Sequence, residues 1–162
     1  MINSAIKKVQ SGRGFTLIEL LIVIGIIAIL AAIVIVAINP SRQFAQARNT
    51  QRESNVATIL NAIGQNIADN KGVFSGCADA STISGSSTPI GAADKNIKGC
   101  LIPTYIPSEE LPYDPEITTP AAGISNTGYT IKVDSVGRYT VCSPEHGTEA
   151  SLEPIEPYCL TR

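Results

Sequence analysis

One continuous apolar segment near the N-terminus dominates the pattern of the chain. Between Phe15 and Ile38, 21 of 24 positions are apolar, the exceptions being Thr16, Glu19 and Gly25. At 1.5 Å per residue, a helix of this length measures about 36 Å, which exceeds the hydrocarbon thickness of roughly 30 Å. The pattern therefore predicts a membrane-spanning helix over this segment. A secretory signal peptide is the alternative, but its apolar part normally has only about 7 to 15 residues.

Helical periodicity continues beyond Asn39-Pro40. Apolar residues recur at steps of three and four as far as Ile67, with alanines between them. Asn70-Lys71-Gly72 then supplies the basic residue and the glycine that are common at a helix C-terminus. The pattern predicts one long helix from Phe15 to Lys71 that is loosened at the proline. Its second part, residues 39–71, is an amphipathic continuation of the membrane helix.

Residues 72–162 have the composition of a loop-rich head. They contain nine of the ten prolines and nine of the thirteen glycines. Two alternating segments, Gly128–Val133 and Arg138–Cys142, flank a short turn and predict a β-hairpin. Asn96–Ile102 is a weaker strand candidate, and residues 81–93 are predicted as surface loop. These elements predict an α+β fold in which the helix packs on a small antiparallel sheet.

The parts of the chain differ in charge. The formal net charge is −2, but residues 39–71 carry four basic and two acidic residues, and residues 72–162 carry five basic and eleven acidic ones. An acidic head argues against a direct nucleic-acid partner, because phosphate backbones bind basic surfaces. Arg42, Arg48 and Arg52 recur at roughly helical spacing and predict a solvated face. Contact with lipid headgroups or with the acidic head of a neighbouring copy is the alternative.

All four cysteines follow the apolar segment. Their even number and wide spacing are typical of disulfides in an oxidising compartment, since metal ligands usually come in close pairs. Buried free thiols are the alternative. Among the three possible connectivities we predict the local one, Cys77 with Cys100 and Cys142 with Cys159, because the second bridge would hold the C-terminal segment.

The sequence offers little for catalysis. With no tryptophan and three phenylalanines, the chain lacks the large side chains of an extensive enzyme core. Its one histidine, His146, lies in a segment predicted as a surface loop, and no phosphate-binding glycine motif is present. We therefore predict no enzymatic activity, no catalytic residues, no metal site and no cofactor.

The sharpest motif lies where a short leader, with Lys7, Lys8 and Arg13, meets the apolar segment. It is Gly14-Phe15-Thr16-Leu17-Ile18-Glu19. A carboxylate in a membrane segment costs about 2.5–3.5 kcal/mol on insertion scales, which predicts a functional Glu19 with a partner. A glutamate at the membrane edge that reaches water is the alternative. The motif resembles the prepilin family, which comprises type IV pilins, type II secretion pseudopilins and competence pilins.

In that family, the last leader residue and the first mature residue flank a cleavage site, and Gly14 and Phe15 match them. The resemblance implies a leader over residues 1–14 and its removal by a prepilin peptidase that also methylates the amine of Phe15. Glu19 would then align an incoming subunit with such an amine. The resemblance also implies a pilin-like fold, in which the head, residues 72–162, has a disulfide-closed C-terminal loop.

The function implied by the resemblance is that of a structural subunit of a type IV pilus or related filament. Its partners would be other pilins in a homopolymer or mixed filament, the prepilin peptidase, the membrane platform of the assembly machine, and lipid before assembly. The subunit would cross the cytoplasmic membrane once, with the leader in the cytoplasm and the head outside. After assembly it would lie in a cell-surface pilus or a periplasmic pseudopilus.

Two alternatives to a pilus subunit remain at this point. A type II secretion pseudopilin is the alternative within the family, although heads of that group are often free of disulfides. A protein with a fixed membrane anchor, either an extracytoplasmic binding module or an enzyme, belongs to a different class. One departure from the family also matters, because many pilins have a kinking proline where Val36 stands here. In addition, Leu111–Pro115 resembles a stretch that precedes the calcium site of some pseudopilins. Calcium in the head is therefore an alternative to a metal-free head.

Overall fold

The computed structural model describes residues 14–91, 95–117, 126–147, 152 and 156–162. The chain divides into two compact units, residues 1–39 and 40–162. In the first unit, residues Leu17–Ala37 form helix α1. Within the described residues, α1 is the one helix long and apolar enough to cross a membrane, over Leu17–Val36. The predicted apolar N-terminal helix is confirmed.

The predicted continuous helix is divided in two. α1 ends at Ala37, and helix α2 runs from Pro40 to Asp69. Between them Ile38 is extended, with φ −96° and ψ 123°. The physical reason is the proline ring, which disfavours the α conformation at Asn39 but is well accepted as the first residue of a helix. The long helix that we predicted to be loosened at the proline is therefore two separate helices.

α2 ends at Asp69, and the predicted C-terminal glycine, Gly72, follows three residues later. Gly72 has a φ of 91°, a conformation that glycine adopts without a steric cost. Its N–H donates to the carbonyl oxygen of Ile67 at 2.8 Å, which caps the last turn of the helix.

Residues of the head contribute a four-stranded antiparallel sheet to the second unit. The strands are β1 (Thr88–Pro89), β2 (Thr130–Val133), β3 (Tyr139–Ser143) and β4 (Tyr158–Thr161), and they lie side by side in that order. β2 and β3 form the predicted hairpin, with Ile131 opposite Val141. The α+β fold class is confirmed.

Asp134 stabilises the turn of the hairpin. Its Oδ1 accepts the backbone N–H groups of Val136 and Arg138, each at 2.9 Å, and its Oδ2 accepts Nε of Arg138 at 2.7 Å. Hydrogen bonds from Arg138, from its backbone first and then from its side chain, hold the pKa of Asp134 below its ordinary value.

The strand candidate Asn96–Ile102 is wrong, because it contains the short helix α3 (Lys98–Leu101). The side chain of Asn96 accepts the N–H of Lys98 at 3.3 Å, a local hydrogen bond that favours a turn over an extended chain. The predicted loop over residues 81–93, of which 92 and 93 lie outside the described residues, also needs correction. Thr88–Pro89 pairs with β2 as a two-residue edge strand, a position where proline is tolerated.

β4 replaces part of the predicted C-terminal loop. It pairs with β3 so that Cys142 lies opposite Cys159, and the backbones of Tyr139 and Arg162 exchange hydrogen bonds of 2.8 and 2.9 Å. Disulfides join these two cysteines to each other and Cys77 to Cys100. The structure thus has the local connectivity that we predicted, and the second bridge holds a strand where we expected a loop.

Removing the second bridge with Cys142→Ser and Cys159→Ser should lower the free energy of unfolding of the head by about 3 kcal/mol, from the lost loop-closure restraint. Hydrogen exchange of the full chain in detergent should become faster in β4 and stay unchanged in α1. Cys77→Ser with Cys100→Ser is the matched control, which should leave exchange in β4 slow. Four alkylatable thiols in the native protein would contradict the assignment.

One face of α2 forms the core with the sheet. Val56, Ile59 and Ile63 are fully buried, and they belong to the same cluster as Ile131 and Val141 of the central strands. Each large aliphatic side chain buried in this way contributes about 1.5–3 kcal/mol. Further core residues come from α3 and the connecting segments: Phe74, Ile90, Ile97, Leu101, Ile106, Leu111 and Tyr129.

Arg52 does not belong to a solvated face, which corrects the prediction for this residue. Its side chain is fully buried. Its Nε lies 2.6 Å and its Nη2 3.1 Å from the two carboxylate oxygens of Asp114. Nη2 also donates to Glu116 at 3.0 Å, and Nη1 donates to Asn49 at 2.9 Å. Asp114 belongs to Leu111–Pro115, the segment that resembles the calcium-site stretch of some pseudopilins. Because Arg52 binds both of its carboxylate oxygens, Asp114 here forms a buried ion pair.

Two asparagines on the same face of α2 bind the loops that cross it. Asn55 donates to the hydroxyl of Tyr129 at 2.9 Å, and burial raises the pKa of that tyrosine to about 12. Asn66 donates to the carbonyl oxygens of Ser75 and Cys100, each at 2.9 Å. The buried face of α2 therefore satisfies loop backbone and side-chain groups that would otherwise be buried without partners.

Candidate functional site

The residues of the sequence motif lie at the N-terminus of α1. Gly14, Phe15 and Thr16 precede the helix, and Thr16 is its N-cap, with φ −79° and ψ 153°. Its Oγ1 accepts the N–H of Glu19 at 3.2 Å, and its own N–H donates to Oε2 of Glu19 at 2.8 Å. This reciprocal pair is a capping box, which satisfies two of the N–H groups that a helix leaves free at its start.

The carboxylate of Glu19 is bound within its own chain. Oε2 accepts both the N–H and the hydroxyl of Thr16, each at 2.8 Å. Among the described residues, no hydrogen bond reaches Oε1. The hydrogen bonds lower the cost of placing this charge beside an apolar segment. One carboxylate oxygen is thus held at the helix start while the other stays available to a partner.

Sequence reasoning missed Thr16 as a site residue. We predicted the amine of Phe15 as a partner of Glu19, and the structure adds Thr16, three residues away, as a partner within the chain. The signal was present in the sequence, because a threonine followed by a glutamate at the third position ahead of an apolar segment is the capping-box pattern.

Gly14 and Phe15 are open to their surroundings. The side chain of Phe15 is 91% exposed. A Cβ built on Gly14 would have no neighbour within 4 Å. Packing within the described chain therefore does not require glycine at this position.

The surface of α1 is apolar on all sides. Each leucine, isoleucine and valine from Leu17 to Val36 has an exposed fraction between 52% and 88%. A helix that is apolar all round needs an apolar environment, either lipid or other protein. Such a surface can hold the chain in a membrane and can also pack against copies of itself.

In the described part of the chain, His146 has neighbours on α2 and β4. Nε2 of His146 lies 3.0 Å from a carboxylate oxygen of Glu53, and its ring lies 5.4 Å from that of Tyr158. His146 is therefore half-buried between α2 and β4, where we predicted an exposed loop residue. Within the described ranges, no three histidine, cysteine, aspartate or glutamate residues are grouped in a way that could hold a metal ion.

Comparison with known families gives one match. The family model described as the prokaryotic N-terminal methylation motif matches residues 10–35. These residues include Gly14, Phe15 and Glu19 and most of α1. Comparison with curated proteins and with solved structures finds no match to the chain.

Three features indicate the same class of protein: the matched motif, the apolar helix and the disulfide-bonded head. The motif points to a structural protein rather than an enzyme, and it occurs at the start of a helix that could cross a membrane. The helices, the antiparallel sheet and the two disulfides of the head are consistent with a pilin-like fold. Over residues 10–35 the chain therefore carries the N-terminal methylation motif, which is the signature of the type IV pilins and pseudopilins.

Proposed function

We propose that this protein is the structural subunit of a type IV pilus or a related filament, and that it polymerises through residues 15–38. The observation that carries the proposal is a helix that is apolar all round and has a single carboxylate, Glu19, in its first turn. Residues 39–71 would continue the helical part of the subunit, and residues 72–162 would form its head outside the membrane.

Processing would precede assembly. Hydrolysis of the peptide bond between Gly14 and Phe15 releases the leader, residues 1–14, and leaves an α-amino group on Phe15. Transfer of a methyl group from a sulfonium donor to that nitrogen, with loss of a proton, gives a secondary amine that still carries a positive charge when protonated. Before cleavage this nitrogen is an uncharged amide, so processing creates a cation next to the first turn of α1.

Glu19 would bind that cation on a neighbouring subunit. Oε2 is held by Thr16, and Oε1 has no partner among the described groups, so an incoming amine can bind without displacing the capping box. In an apolar environment such a charge-assisted hydrogen bond is stronger than one between neutral groups. This pair would set the axial position of each subunit.

Helix packing would supply the rest of the assembly energy. Before assembly, lipid covers the side chains of α1, and in the filament the same side chains contact other copies. Apolar contacts are exchanged for apolar contacts, so tight packing must provide the gain. An assembly platform in the membrane and an ATP-driven motor, both implied by the family, would extract the subunit. The final location would be a cell-surface pilus or, in the alternative, the periplasmic pseudopilus of a type II secretion system.

The first test of the proposal is the N-terminus of the mature protein. In cells that contain the peptidase, we expect the intact mass to lack residues 1–14 and to include one additional methyl group on Phe15. Gly14→Leu should block cleavage while the head stays folded, because no side chain within 4 Å contacts this position. A wild-type species that keeps its leader would refute processing.

The second observation needed is the filament itself. Electron microscopy of filaments sheared from the cell surface, with mass spectrometry of their main component, would separate a pilus subunit from a periplasmic pseudopilin. Absence of the protein from any filament, together with an uncleaved N-terminus, would favour a fixed membrane anchor.

A further inference from the structure

The proposed scissile bond lies just outside α1. The first backbone hydrogen bond of the helix runs from the N–H of Leu20 to the carbonyl oxygen of Thr16, at 3.2 Å. Gly14 lies two residues before Thr16. Among the described hydrogen bonds, none involves the carbonyl oxygen of Gly14. The carbonyl that a peptidase would attack is therefore not part of the helical ladder.

The hydroxyl oxygen of Thr16 accepts the N–H of Glu19, which would otherwise be free to extend the helix by one residue. In a helix longer by one residue at this end, the N–H of Glu19 would donate to the carbonyl of Phe15. Here it donates to Oγ1 of Thr16 at 3.2 Å. The reciprocal bond from Thr16 N–H to the Glu19 carboxylate, at 2.8 Å, keeps Thr16 extended. The capping box thus stops the helix between Thr16 and the scissile bond.

We propose that Thr16 is a positioning residue for leader removal, because its N-cap keeps the Gly14–Phe15 peptide bond extended and accessible. This inference rests on the proposed processing. Hydrolysis adds one water: the bond from the carbonyl carbon of Gly14 to the nitrogen of Phe15 breaks, the hydroxyl joins the carbon, and the hydrogen joins the nitrogen. In a helix, the following turn would bind the Gly14 carbonyl and obstruct the approach of a catalytic group to its carbon.

The position at which α1 begins matters because the helix surface needs an apolar environment. Non-helical backbone is not tolerated in contact with lipid, because its N–H and C=O groups would have no partners. The N–H groups of Thr16 and Glu19 are satisfied by the capping box itself. The box therefore sets where the lipid-compatible helix ends and keeps the scissile bond on the side that water and the peptidase reach.

The test compares four substitutions of Thr16 in the full-length precursor, with purified prepilin peptidase and membranes. Thr16→Ser and Thr16→Asn retain a good N-cap and should be cut at about the wild-type rate. Thr16→Ala and Thr16→Val lose the cap and should be cut about fivefold more slowly, the factor that corresponds to a typical N-cap contribution. Valine is the matched control, because it keeps the shape of threonine without the hydroxyl.

The position of the helix start provides a second measurement. In NMR spectra of the full chain in micelles, Thr16→Ala should shift the Cα signals of residues 14–16 towards helical values, and Thr16→Ser should not. Slow cleavage of the Thr16→Asn precursor together with fast cleavage of the Thr16→Val precursor would overturn the inference. The cleavage rate would then follow the shape of the side chain and not its ability to cap the helix. Wild-type rates for alanine would overturn it while leaving the processing proposal intact. A wild-type precursor that is never cut would refute both.

Discussion

Replacing Arg52 by methionine should lower the free energy of unfolding of the head by about 3–5 kcal/mol, which is typical of breaking a buried ion pair. The substitution leaves Asp114 buried without its cation, since the side chains of both residues are almost fully inaccessible to solvent. It also removes the donor to Asn49 on the same helix. Urea unfolding of the full chain in mild detergent, followed by pulse proteolysis, measures the change.

Arg48→Met is the matched control for this prediction. Arg48 lies one turn earlier on α2 and pairs with Glu116 at 3.5 Å, but both side chains are partly exposed to solvent. Such pairs contribute at most about 1 kcal/mol. The double substitution Arg52→Met with Asp114→Leu should recover much of the loss, because no uncompensated charge remains. Equal effects of Arg48→Met and Arg52→Met would contradict the structural role of the buried pair.

Arg52 also shows what the sequence could not reveal. Helical spacing places Arg42, Arg48 and Arg52 in similar positions, but only the fold brings Asp114, 62 residues away, against one of them. Local patterns carry no information about such a partner. The same holds for β4, a four-residue strand that depends on its pairing with β3 and on the Cys142–Cys159 bridge.

Elements that depend on local chemistry were predicted better. The apolar helix needs only its composition, and the hairpin needs only alternating residues around a turn in which Asp134 binds neighbouring N–H groups. The break between α1 and α2 was underestimated, although the restriction that Pro40 places on Asn39 is local. Thr16 was missed although its signal is equally local, because a capping box depends only on the spacing of Thr16 and Glu19.

Glu19→Gln should be processed and inserted normally but should enter filaments at least about tenfold less than wild type. A charge-assisted hydrogen bond contributes about 1.5–3 kcal/mol, and 1.4 kcal/mol is a factor of ten. Glutamine keeps a side-chain oxygen that can accept the N–H of Thr16, so the capping box is preserved while the charge is lost. The measurement is the amount of subunit in sheared filaments relative to the total in membranes.

Glu19→Val separates the two roles of this side chain. It removes both the charge and the acceptor for Thr16, yet the backbone N–H of residue 19 can still donate to the Thr16 hydroxyl. Cleavage should therefore continue, and insertion should be no worse, since a polar group has been removed from an apolar segment. If docking depends on charge, the valine and glutamine variants should assemble equally poorly. Normal assembly of the glutamine variant with failure of the valine variant would instead mean that Glu19 acts through the capping box, and the proposed bond to the Phe15 amine would be wrong.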